Sequence, residues 1–96
     1  MKNIRWRHRH QHDLQQRSWD AEEYIVFNNG SAQTHYLNQF AVDILELLQP
    51  QSLELSVLAD QLVKLYENLE LDAEITTYLQ QTIQLLDEIG LIEPER

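Results

Sequence analysis

Residues 28–39 read NNGSAQTHYLNQ, and the fold turns on how this stretch divides. Before it stands EYIVF, residues 23–27, rich in the aromatic and β-branched side chains that suit a pleated surface. After it comes FAVDILELL, residues 40–48, whose apolar positions recur three and four apart, as on one face of a helix. Asn28-Asn29-Gly30-Ser31 supplies turn chemistry, because Asn and Gly accept positive φ at little steric cost. The run from Ala32 to Leu37 therefore returns as an antiparallel strand. Asn38 ends it: its side-chain oxygen can cap the free amides of a helix starting at Gln39, and Leu37 can staple against Val42. A strand that passes directly into a helix, in so short a chain, is expected at the edge of its sheet. Such an edge offers unpaired backbone groups to a peptide.

On the N-terminal side, LQQRSW at residues 14–19 adds a further strand, so an antiparallel sheet is expected over about 14–37. On the C-terminal side, Phe40, Ala41, Ile44, Leu45 and Leu48 make the buried stripe of a first helix closed by Pro50. A second helix is predicted over about 54–68, buried through Leu55, Leu58, Ala59, Leu62, Leu65 or Tyr66, and Leu69. The third, near 73–89, starts at the cap Asp72, carries Ile75, Leu79, Ile83, Leu86 and Ile89, and stops at Gly90, which is free to turn left-handed. Leu91, Ile92 and Pro94 read as a short apolar tail. The fold class is thus α+β, with two or three antiparallel N-terminal strands followed by three helices. Residues 13–96 form the domain, and 1–12 a His/Arg-rich arm.

Ninety-six residues allow one domain with one modest core, and no second lobe to enclose a substrate. Cysteine is absent, which removes disulfides, thiolate nucleophiles and thiolate metal sites, and suits a cytoplasmic protein. No apolar run is long enough to span a bilayer, and the basic start lacks the apolar stretch of a secretion signal. The net charge of −9 is unevenly placed: residues 1–17 carry +4 and residues 18–96 carry −13. An acidic body repels phosphate, so nucleic acid is not an expected partner. The same charge serves solubility or attracts a basic partner.

Few residues carry chemistry. In RWRHRHQH, residues 5–12, an extended backbone would place Trp6, His8, His10 and His12 on one side, either as a first strand or as a tail outside the core. Alternating imidazoles near a terminus are a nonspecific metal motif, and no physiological metal is expected. The segment lacks core periodicity, so its removal is expected to leave the helical unfolding transition largely intact. Gly30 and Gly90 are isolated and do not form a phosphate loop. Carboxylates are many, but no base, nucleophile and oxyanion donor converge. No catalytic residue and no cofactor is expected. Thr34-His35 reads as part of the hairpin, and Trp6, Trp19, Tyr24 and Phe27 as core or rim aromatics.

The order of these elements resembles the PqqD family of peptide-binding domains, and within it the branch called the HPr-rel-A system PqqD family. The resemblance lies in Arg17-Ser18-Trp19, Tyr24-Ile25-Val26-Phe27, Thr34-His35-Tyr36-Leu37-Asn38 and the closing Gly90-Leu91-Ile92, and it covers about residues 13–94. It implies a winged-helix-like fold with an N-terminal three-stranded antiparallel sheet followed by three helices, and a peptide chaperone, or RiPP recognition element, that holds a precursor (leader) peptide and presents it to a modifying or HPr-kinase-like enzyme. The His- and Arg-rich start departs from that pattern. On this reading the peptide adds along Gln33, Thr34, His35, Tyr36 and Leu37, and the third helix supplies the opposite wall through Ile75, Tyr78, Leu79, Thr82 and Ile83, part of which must also serve the core. Two alternatives stand beside it: a winged-helix DNA-binding regulator, which would need a basic recognition helix although residues 72–90 hold no Lys or Arg, and a structural subunit that forms a homodimer through the same edge.

Overall fold

A computed structural model describes residues 4–9, 14–20, 23–28, 33–66 and 72–95, with the backbone alone for 14–20 and 28. Six strands and three helices follow one another as β1 (Arg5–His8), β2 (Leu14–Asp20), β3 (Glu23–Asn28), β4 (Gln33–Asn38), α1 (Gln39–Leu48), β5 (Leu53–Glu54), α2 (Leu55–Leu65), α3 (Ala73–Glu88) and β6 (Ile92–Glu95). The expected sheet is β2-β3-β4, an antiparallel meander with an irregularity between Ser18 and Asp20. The turn residues 29–32 that join β3 to β4 lie outside the described residues.

The junction of β4 and α1 follows from Asn38. Its backbone is extended and its Oδ1 accepts from Ala41 N at 2.9 Å, satisfying one of the amides that a helix start leaves unpaired. Leu37 and Val42, on either side of the cap, are both in the buried core. Asp72 opens α3 in the same way, its Oδ1 accepting from Ile75 N at 2.9 Å. Glu54 makes no side-chain cap for α2, which starts directly from β5. At the far end of α3, Gly90 takes φ +80, and its N–H bonds to the Asp87 carbonyl while Leu91 N bonds to the Leu86 carbonyl, so the chain reverses into β6.

A second sheet, ordered β5-β1-β6, departs from the sequence reading. Of the two readings of Arg5–His8, a tail or a first strand, the strand is the one that forms. It is the middle strand, antiparallel to β5 through Arg5↔Glu54 and Trp6↔Leu53, and to β6 from Arg5↔Glu95 to His8↔Ile92. His8 is buried, Trp6 packs against the core, and Arg7 pairs with Glu93, its Nε donating to Oε1 at 2.6 Å. The C-terminal tail is therefore a strand that follows α3. Pro94 is tolerated there because β6 is an edge, where a missing N–H breaks no ladder. Trp6 and His8 share one side of this extended strand, and that side is turned to the core; His10 and His12 lie outside the described residues.

The core joins both sheets to the helices. Val26 and Leu37 come from β3 and β4, Val42, Ile44, Leu45 and Leu48 from α1, Leu58 and Leu62 from α2, Leu79, Ile83 and Leu86 from α3, and Leu91 and Ile92 from the C-terminal return. At the end of α2 Tyr66 packs against this core, whereas Leu65 is exposed. Leu69 lies outside the described residues. Among the described residues no helix is long and apolar enough to cross a membrane.

Candidate functional site

Strand β4 has one described neighbour, β3, with registers running from Glu23↔Asn38 to Asn28↔Gln33. Its other side is an edge, where every second residue turns its N–H and C=O away from the sheet. The two faces of β4 differ. His35 and Leu37 lie on the core side with their cross-strand partners Val26 and Tyr24, while Tyr36 is on the opposite face beside Ile25 and is 75 % exposed. His35 Nε2 is buried with no hydrogen-bond partner among the described residues, so this imidazole is turned to the interior rather than offered to a ligand.

Between this edge and α3 runs an open groove of about 250 Å³. Tyr36, Leu37 and Asn38 of β4 and Ala41 of α1 form one side, and Tyr78, Gln81, Thr82 and Leu85 of α3 form the other. The spacing 78, 81, 82, 85 places these four on one helical face. Asn38 joins the two walls, because the amide that caps α1 through Oδ1 also donates from Nδ2 to the Tyr78 hydroxyl at 2.8 Å. Thr82, itself buried, donates from Oγ1 to the Tyr78 carbonyl at 2.9 Å. The lining is apolar and amide in character, and it contains no charged side chain.

Tyr78 is held from behind. Its ring lies 4.8 Å from Phe40, and Phe40 lies 6.2 Å from Tyr66, a row of tilted aromatic rings from α3 through α1 to the residue that ends α2. A polar chain runs beside the row: Tyr24 OH donates to Gln39 Oε1 at 2.5 Å, Gln39 Nε2 donates to Asp43 Oδ1 at 2.7 Å, and the Tyr66 hydroxyl bonds to the other Asp43 oxygen. Burial, and then the bond to Asp43, hold the Tyr66 hydroxyl well above the usual phenol range, so it remains a donor at neutral pH. The result is a fixed scaffold under one groove wall.

The expected site residues separate into two groups. Tyr36, Leu37, Tyr78 and Thr82 line the groove. Gln33 and Thr34 are exposed on the same edge strand outside the lining, and Ile75 is half-buried one turn before Tyr78. Leu79 and Ile83 are core residues, at 1 % and 3 % exposure, and do not face the groove. Ile83 also touches a second, smaller hollow of about 200 Å³ on the other side of α3, with Trp6, Leu55, Gln80, Gln84 and Asp87. The sequence reading passed over Asn38, Ala41, Gln81 and Leu85. Leu85 carried a signal: adjacent to Leu86, it cannot share the stripe 79, 83, 86, and here it is 47 % exposed on the groove wall.

Among the described residues no three His, Asp or Glu side chains are grouped to hold a metal. No family model matches this chain, and no curated protein or solved structure matches it.

Proposed function

We propose that this protein is a non-catalytic, cytoplasmic peptide-binding adaptor, which takes an extended peptide as an added strand on β4 and holds its side chains in the groove against α3. The observation that carries the proposal is the shared construction of that groove: an open strand edge on one side, exposed apolar and aromatic side chains of a helix on the other. Backbone bonds along the edge give affinity for any extended segment, and the lining between Tyr36 and Leu85 selects side chains. The resemblance to the PqqD family supports the same mode, and with it a leader peptide as ligand and a modifying or HPr-kinase-like enzyme as the protein to which the peptide is presented. A peptide selected from a display library and titrated into the isotopically labelled protein tests this: its backbone shifts should centre on β4 and on residues 78–85. Shifts centred on the β2 edge or on the second sheet would refute it.

A DNA-binding winged helix gains one point, because β6 follows α3 and stands in a small sheet beside three helices. Its recognition helix would be α3, which carries Glu74, Asp87 and Glu88 and no basic residue, and phosphate contacts need the opposite charge. Pairing of β4 with β4 of a second copy is the remaining rival. Sedimentation over a range of concentrations separates it from the adaptor, which stays monomeric without its peptide.

A further inference from the structure

The charges that border the groove specify the ligand further. Tyr78, Gln81, Thr82 and Leu85 form the α3 wall, and the same helical face continues one turn in each direction, to Glu74 four residues before Tyr78 and to Glu88 three residues after Leu85. Both are exposed, and Glu88 accepts only a long 3.3 Å contact from Gln84. At the β4 end, Glu23 is the cross-strand partner of the groove residue Asn38, on the face that carries Tyr36, and is also exposed. No Lys or Arg occurs on β3, β4, α1 or α3. The described basic side chains whose contacts are seen are Arg7 on β1 and Arg9 just after it; both face Glu93 of β6, and the Arg9 guanidinium also lies beside Gly90 past the end of α3. Among the described side chains, an uncharged apolar centre is thus bordered by carboxylates, and the walls themselves carry no cation.

We infer that the groove takes a basic peptide: an extended segment with apolar or aromatic residues at alternate central positions and Lys or Arg at both ends. This rests on the strand-addition reading above. The spacing follows from geometry. Glu74 and Glu88 are fourteen residues apart, about 21 Å along a helix rising 1.5 Å per residue. A strand rising about 3.3 Å per residue covers that distance in roughly six residues, which is the length of β4 itself. Basic residues about six apart therefore reach both ends of the α3 wall while the residues between them fill the groove. Opposite charge at the rim also excludes acidic segments and raises the rate of encounter at low salt.

A random dodecapeptide display library tests this, selected on the parent protein and counter-selected on whichever of Thr34→Pro and His35→Pro remains folded. Peptides retained only by the parent should show Lys or Arg enriched over Asp or Glu by about threefold or more at positions flanking an apolar centre. Two exposed pairs correspond to an affinity gain of roughly two- to thirtyfold. The variant combining Glu74→Lys and Glu88→Lys should reverse the bias. Edge-dependent peptides with no charge bias, or a bias that the double variant leaves unchanged, would overturn the basic-peptide inference while leaving strand addition standing. A library that yields no peptide sensitive to the edge proline would overturn strand addition, and the inference with it.

Discussion

Asn38 has two separable tasks, and a short series of substitutions measures each. Its Oδ1 caps α1, and its Nδ2 bonds to Tyr78 across the groove. Replacing a good N-cap by Ala typically costs about 1 kcal/mol. The second bond is exposed, so its net worth is at the low end of the usual range, about 0.5 kcal/mol. Asn38→Ala should therefore lose about 1.5 kcal/mol, which for a chain of 96 residues lowers Tm by roughly 6–12 °C. Asn38→Ser keeps a hydroxyl cap but cannot reach Tyr78, and should lose only about 0.5 kcal/mol, or roughly 2–4 °C. Tyr78→Phe removes the same bond from the other side at a similar cost. Combined with Asn38→Ser it should cost no more than either change alone. Thermal and urea unfolding followed by circular dichroism at 222 nm read all four proteins. Equal losses for Ser and Ala would show that the cap is not what Asn38 contributes, and fully additive Ser and Phe losses would show that the bridge to α3 does not exist.

Three further outcomes follow from the packing. Deleting residues 1–9 removes the middle strand of the second sheet, with Trp6 and the buried His8; stability should fall by at least about 3 kcal/mol, against a total of about 5–15 for a small domain, and an unchanged urea midpoint would contradict that placement. The Tyr66 hydroxyl has a folded-state pKa raised above its unfolded value near 10, so its contribution is complete below about pH 10 and is lost as pH rises beyond it. In an alkaline absorbance titration the protein should show a component that ionises above the usual phenol range, and Tyr66→Phe should remove it. Leu85→Arg, on an exposed position of α3, should change stability by less than about 0.5 kcal/mol yet weaken peptide binding at least tenfold; loss of folding, or unaltered binding, would place Leu85 in the core or outside the site.

Local signals made most of the fold legible. Asn38 and Asp72 are side-chain caps that also work in isolation, and the period of Ile44, Leu45 and Leu48 or of Leu79, Ile83 and Leu86 depends on nothing distant, so α1 and α3 begin and end within a residue of expectation. α2 is shorter than expected at its far end, since Tyr66 already leaves the helix with φ −110 and ψ 109. The second sheet was not legible because nothing local specifies it. Arg5 pairs with Glu95 across nearly the whole chain, β1 alternates arginine with Trp6 and His8 rather than with aliphatic residues, and Pro94 argues against a strand unless its edge position is known. The site was half legible for a related reason. The edge strand could be read from the turn and the cap, but a helix packed on two sides presents two faces only 100° apart per residue. Choosing between Leu79 and Leu85 needs the rotation of α3 about its axis, which the core as a whole decides.

Binding at the β4 edge is tested most directly by comparing the affinity of a selected peptide for Thr34→Pro, His35→Pro and the parent, with amide hydrogen exchange on each protein. Neighbouring residues of an edge strand alternate in the direction of their N–H groups, so one proline removes a ladder bond to β3 and the other removes only an outward donor. The account predicts that one variant loses the β3–β4 pairing, while the other keeps parental protection in β3 and α1 and binds the peptide at least tenfold more weakly. A folded variant that binds the peptide as tightly as the parent would contradict it.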